Sequence, residues 1–218
     1  MSAAALVRPD TSDMIGVHQV FRESLGIAPQ LVGSVAEDDP DRVATVAAYY
    51  ANVLAFLHAH HEGEDELIWP KLVERCPDQA ETVRRVAGQH DDVLALLERA
   101  ESQLAEWQAE PTTDRGATLA AALVTLAVGL SAHLDEEERV ILPLAAEHLT
   151  VEEWAELPSH GMRSFRGDRI WLIMGLIREQ MTDAQRAAMD VAMPPPVREF
   201  WTTVGQAQFT AFVADLRS

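Results

Sequence analysis

Apolar residues recur along this chain at helical spacing, and no stretch alternates apolar and polar positions as a half-buried strand would. Met14, Ile15, His18, Phe21 and Leu25 share one face behind the capping residues Thr11-Ser12-Asp13, predicting a helix to about Glu37. Asp38-Asp39-Pro40-Asp41 breaks it and starts a second helix, whose inner face carries Val53, Phe56, Leu57, His60, Glu64 and Leu67. Pro70 should kink or end that helix near Trp69. Beyond Cys76-Pro77-Asp78, a third helix to about Ala109 turns Val83, Val86, Ala87, His90, Val93, Leu94 and Leu97 inward. Beyond Pro111-Thr112-Thr113-Asp114, a fourth aligns Leu126, Leu130, His133, Glu137 and Ile141, with Pro143 ending it. The predicted fold class is all-α.

The order of polar residues on those inner faces repeats. His60-x-x-x-Glu64 and His133-x-x-x-Glu137 are each followed, six residues after the Glu, by a Pro, and each is preceded by a lone inward histidine: His18 lies 42 residues before His60, and His90 lies 43 before His133. The chain is thus two helical hairpins, and the short connections predict an antiparallel, up-and-down four-helix bundle over residues 1–149. The repeat stops at Thr150. A helical extension over 150–218 should follow: a short helix capped at Thr150 and ending before Pro158, an apolar helix from about Gly167 to Met181, and a short one capped by Thr182-Asp183. Pro194-Pro195-Pro196 reads as a stiff spacer before an amphipathic helix from Val197 to Leu216. Such an extension should pack on the bundle, or form a homodimer or protein-partner surface.

The formal net charge of −18 sits mostly in the repeat: residues 1–150 hold 26 acidic and 10 basic side chains, residues 151–218 hold 9 and 7. An acidic bundle repels phosphate backbones, which argues against nucleic acid as a partner. Cys76 is the only cysteine, so neither an intrachain disulfide nor a thiolate cluster can form. Ala117 to Leu134 is uncharged, but it leads into Asp135-Glu136-Glu137-Glu138 and fits a buried bundle helix better than a membrane span. The opening residues, Met-Ser-Ala-Ala-Ala-Leu-Val-Arg, lack an apolar core of signal-peptide length, so the expected location is cytoplasmic.

Positions i and i+4 of a helix project from one face a turn apart, so each His-x-x-x-Glu pair aims an imidazole and a carboxylate at one point. Four inward histidines and two inward glutamates, buried without partners, would cost several kcal/mol in total. A pair of metal ions removes that cost. The candidate ligands are His18, His60, Glu64, His90, His133 and Glu137; imidazole and carboxylate without sulfur suit iron, manganese or zinc. No acid–base residue beyond these ligands stands out. Glu136 is a candidate substitute ligand. His61, about 100° round the helix from His60, reads as a supporting hydrogen-bond group, and His58 as a surface or supporting one. Tyr49 and Tyr50 lie too far along the axis to ligate, and His148 and His160 read as structural.

This succession, with the continuations Glu64-Asp65-x-x-Ile68-Trp69-Pro70 and Glu137-Glu138-x-x-Ile141-Leu142-Pro143, resembles the hemerythrin-like family of HHE cation-binding domains over about residues 10–148. The resemblance implies a non-haem centre of two iron ions with an oxo or hydroxo bridge, bridged also by Glu64 and Glu137, and a small ligand such as O2, hydrogen peroxide or NO. The family's oxygen carriers have a further histidine one turn from the third-helix His. Here those positions are Val86 and Leu94. On four histidines, peroxide or oxygen chemistry, with catalase-like breakdown as its enzyme form, is favoured over reversible oxygen storage. The alternatives are an iron, oxygen or redox sensor signalling through the extension, and a mononuclear zinc or nickel bundle enzyme.

Overall fold

The computed structural model describes residues 8–218; residues 1–7, which carry most of the stretch read above for a leader, lie outside it. The described chain is all-α, as the periodicity predicts. Its first helix is shorter than expected, splitting into α1 (Ser12–Gly26) and α2 (Ala28–Gly33). Pro29 has no N–H for the carbonyl a turn earlier, which interrupts the ladder. The second helix, α3 (Pro40–Leu67), starts where Asp39 accepts a hydrogen bond from the Arg42 N–H and gives way to α4 (Trp69–Arg75) just before Pro70. After a 3-10 turn at Pro77–Gln79, the expected third helix divides at Gly88 into α5 (Ala80–Ala87) and α6 (Gln89–Ala109).

The fourth, α7 (Thr113–Glu136), does not end at Pro143. It widens into a π turn at Glu137–Ile141 and continues as α8 (Leu142–His148). There the Leu142 N–H reaches back to the Glu137 carbonyl, and this extra residue in the turn carries the rod past the proline. Over 113–148 the rod is long and apolar enough to cross a membrane by length and composition. Its inner residues, including Leu119, Leu123, Leu126 and Leu130, are fully packed within the bundle.

Helices α1/α2, α3, α6 and α7 form the bundle, with α1 against α3 and α7, and α6 against α3 and α7. His18 and His90 lie in the first halves of α1 and α6, whereas His60 and His133 lie near the ends of α3 and α7. The neighbours therefore run antiparallel, and all four histidines fall at one end. Two apolar layers sandwich that level. The main core, with Phe21, Leu57, Leu97 and Leu130, lies on one side; on the other lies a plug of Met14, Ile68, Trp69, Val83, Val86, Ile141 and Trp154.

The extension packs on the bundle. It comprises α9 (Val151–Trp154), α10 (Glu156–Ser164), α11 (Ile170–Glu179), α12 (Asp183–Ala192), α13 (Pro195–Phe200), a π turn at Trp201–Gly205, and α14 (Gln206–Leu216). Thr150 and Thr182 cap their helices as expected, and each forms a capping box, closed by Glu153 and Gln185. The short helix capped at Thr150 ends before Pro158, as expected, at Trp154, and Pro158 sits in the first turn of α10, where no N–H is needed. Pro195 and Pro196 likewise open α13 rather than forming a spacer. Helices α10, α11 and α14 all contact α3. Arg42 fastens the last turn of α14, donating to the carbonyls of Asp215 (2.6 Å) and Leu216 (2.8 Å), where a cation meets the negative end of the helix dipole.

Candidate metal centre

Each half of the repeat brings its carboxylate to both lone and paired histidines. Glu64 Oε1 lies 3.4 Å from His60 Nε2, and its Oε2 lies 3.5 Å from His90 Nε2, so this carboxylate spans the two hairpins. Glu137 does the same from the other side: its Oε2 is 3.5 Å from His18 Nε2 and 3.7 Å from His133 Nε2. All six residues chosen from the sequence are thus brought together, and all are buried.

A seventh joins them. His61 is 7 % exposed and stacks on His90 with ring centroids 4.1 Å apart. Its Nε2, like that of the other four histidines of the cluster, has no hydrogen-bond partner among the described residues. Two groups form in which every ligand atom lies within 4.8 Å of the others: His18, His60, Glu64 and Glu137, and His61, Glu64, His90 and His133. The expected supporting role of His61 is replaced by a place in the cluster itself. Glu136, weighed as a substitute ligand, is elsewhere: it accepts from Arg85 (2.7 and 2.8 Å) and Gln89 (2.8 Å). His58 faces Glu101 at the surface, at 3.2 Å. Tyr49 is used in packing, donating to Ser24 Oγ at 2.7 Å.

The arrangement fits a pair of cations. Ten buried side-chain nitrogens and oxygens lack a partner among the described residues, and eight of them belong to this cluster: the five Nε2 atoms, both oxygens of Glu64 and Oε2 of Glu137. At about 1–3 kcal/mol per orphaned atom the eight cost on the order of ten kcal/mol, comparable with the whole stability of a domain. Imidazoles and carboxylates have only cations and protons in common as partners, and burial works against a proton on His18, His60, His61 and His133. Burial holds His18 down to about 4 and His133 down to about 3, and it lowers His60 and His61 well below the ordinary histidine range. Burial also pushes Glu137 up to about 7, and burial together with the facing Glu137 charge pushes Glu64 well up. Without a cation, burial favours a proton on this carboxyl pair; bound cations remove that need.

The ring nitrogens that point away from the cluster are held in turn. His18 Nδ1 meets Glu138 (2.8 Å), His90 Nδ1 meets Asp65 (2.8 Å), and His133 Nδ1 meets the Gln89 side-chain oxygen (3.0 Å). Phe21 stands against His60 with centroids 5.2 Å apart, and Trp69 stands edge-on to His90 at 5.4 Å, so the walls are apolar.

Comparison with curated proteins gives no match, and comparison with solved structures gives none either. A family model does match: residues 10–145 correspond to the Hemerythrin HHE cation binding domain, which spans all seven clustered residues. The chain belongs to the hemerythrin HHE cation-binding family.

Proposed function

We propose that this is a non-haem di-iron protein whose buried centre takes up dioxygen, hydrogen peroxide or nitric oxide. The observation that carries the reading is the pair of overlapping donor sets, converging orphaned atoms on two positions that share Glu64. His61, His90 and His133 would hold one ion, His18 and His60 the other, with Glu64 and Glu137 reaching both. Adjacent redox irons, when bound, can exchange two electrons with a small oxidant.

The protein's own groups set the conditions. Three imidazoles against two leave the His18–His60 position poorer in donors, and that is where a small ligand would enter. Phe21, Trp69 and the apolar layers on either side exclude water, which strengthens every charge interaction inside. The sequence-based preference for peroxide over storage rested on four histidines. With His61 the inward set is five, so reversible binding and turnover stand level.

The test is metal analysis of chelator-free protein beside its absorption spectrum, followed by titration with O2, peroxide and NO. Two irons per chain, with a near-ultraviolet spectrum that each ligand perturbs, is the expected result. One zinc or nickel per chain, or two irons blind to all three ligands, would refute the reading.

One observation favours a second, sensing role. Helix α10 packs on α3 at Gly63, where a side chain would meet His160 Nδ1 at 3.3 Å and Leu157 at 3.5 Å, one residue before Glu64. His160 also hydrogen-bonds Glu66 (2.9 Å). Under this reading metal loading slows hydrogen exchange in α10; unchanged exchange there argues against it.

A further inference from the structure

Each ligand glutamate is followed by a second acidic residue, Asp65 after Glu64 and Glu138 after Glu137, and these four carboxylates are exchanged between the hairpins in a fixed pattern. Glu64 and Asp65, both from the first hairpin, clamp the lone histidine of the second: Glu64 lies 3.5 Å from His90 Nε2 and Asp65 lies 2.8 Å from His90 Nδ1. Glu137 and Glu138, from the second, clamp the lone histidine of the first, at 3.5 Å from His18 Nε2 and 2.8 Å from His18 Nδ1. Successive residues of a regular helix diverge by about 100°, and a ring inserted between them is gripped on both nitrogens. At Glu137 the π turn opens the helix by one residue, at the place where the longer Glu138 stands where the first hairpin has Asp65.

A carboxylate only accepts hydrogen bonds, so each clamped ring carries its proton on Nδ1 and presents a bare Nε2 lone pair to the cluster. The third backed histidine is different. His133 Nδ1 meets a neutral amide, the Gln89 oxygen, whose nitrogen donates in turn to Glu136. The two clamps also differ from each other: Glu138 shares its charge with Arg22 (2.7 Å), whereas Asp65 is half exposed and, among the described residues, accepts from His90 without an Arg or Lys paired to it.

We propose that Asp65 and Glu138 are positioning residues that set the donor strength of His90 and His18, and that they, rather than Gln89, hold the reduction potential of the bound metals down. This rests on the di-metal reading above. A negative charge behind an imidazole makes the ring a stronger donor and favours the more highly charged metal, and loss of such a partner commonly costs about 10–100-fold in metal affinity.

The experiment uses the full chain and three substitutions that keep hydrogen-bonding shape while changing charge: Asp65→Asn, Glu138→Gln and Gln89→Glu. Three quantities are read: iron(II) affinity by chelator competition, the reduction potential of the iron-loaded protein, and the melting temperature of the chelated protein. The expected result is about a 10–100-fold loss of affinity and a raised potential for Asp65→Asn and Glu138→Gln, with a lowered potential for Gln89→Glu. A role in folding alone would move the melting temperature without moving the potential in opposite directions. Asp65 is at the surface end of its clamp, so Asp65→Asn decides the matter even if Glu138→Gln does not fold. Iron bound by the wild type but with unchanged affinity and potential in Asp65→Asn overturns this inference alone. Wild-type protein that takes up no metal overturns it together with the di-iron reading.

Discussion

His61 gives the sharpest test because a ligand and a packing residue respond to its loss with opposite signs. In the chelated protein its Nε2 is buried without a partner, which costs about 1–3 kcal/mol. Its ring contact with His90, centroids 4.1 Å apart, returns about 0.5–1.5 kcal/mol. Substituting His61→Leu removes both and keeps the site apolar and filled, so the metal-free protein should gain about 1 kcal/mol. For a chain of this size that is a rise of roughly 2–4 °C in melting temperature. Metal binding should move the other way. A four-ligand site binds with about 10–16 kcal/mol, or about 3 kcal/mol per ligand, which is about a hundredfold in affinity. Only the position shared with His90 and His133 should suffer.

The assays are thermal unfolding after chelation, and metal counting during titration. A variant that is more stable without metal, keeps one ion tightly and holds the other weakly meets the expectation. A variant that melts lower without metal and still binds two ions as the wild type does would show that His61 is packing and that the five-histidine centre is wrong.

Glu64→Gln should cost both ions, because Glu64 touches a histidine of each set; loss of only one ion in metal analysis would mean that it does not bridge. Stability of the chelated protein should peak between about pH 6 and 7. His18 and His133, held at about 4 and about 3, oppose folding increasingly as pH falls below the unfolded value near 6.5. Glu137, raised to about 7, favours folding fully below its unfolded value near 4.5, and that favour is lost as pH rises through 7. A melting temperature that climbs steadily to pH 8 would refute the protonated carboxyl pair. Gly175→Ala should destabilise by about 1–3 kcal/mol by forcing a methyl into the Phe209 ring, outweighing the ~1 kcal/mol that alanine adds to a helix. Metal stoichiometry should not change in that variant, since the contact joins α11 to α14 far from the centre; lost metal would link the two.

Six of the seven clustered residues could be read from spacing because His18, His60, Glu64, His90, His133 and Glu137 sit on single apolar stripes. His61 could not, because a wheel drawn for one helix places it about 100° from His60. In a bundle, α3 faces two neighbours at once: His60 turns toward α1, beside His18 and Phe21, and His61 toward α6, beside His90. The core-facing arc is wider than one stripe. A signal existed in the repeat itself. Aligned by their motifs, His60-His61 matches His133-Leu134, and Leu134 is fully buried, so the position after the first histidine points inward in both copies. Two helix ends differ from the sequence reading, near Glu37 and at Pro143, and both turn on a proline. Pro29, inside the first expected helix, interrupts it, whereas Pro143, expected to end the fourth, is bypassed by a π turn.

The same duplication explains why so polar a layer is tolerated. Its donors cross from one hairpin to the other, with Glu64 and Asp65 reaching His90 and Glu137 and Glu138 reaching His18, so neither hairpin can complete a site alone. Cations at the centre would therefore act as a clasp between the halves, in place of the proton that the raised carboxyl pair holds without them. The apolar layers above and below supply the stability that the metal-free layer consumes. Metal should accordingly raise the melting temperature of the whole chain in one cooperative step, by an amount that grows with metal concentration as linkage requires. A holo protein in which one hairpin unfolds before the other, followed by hydrogen exchange, would contradict that clasp.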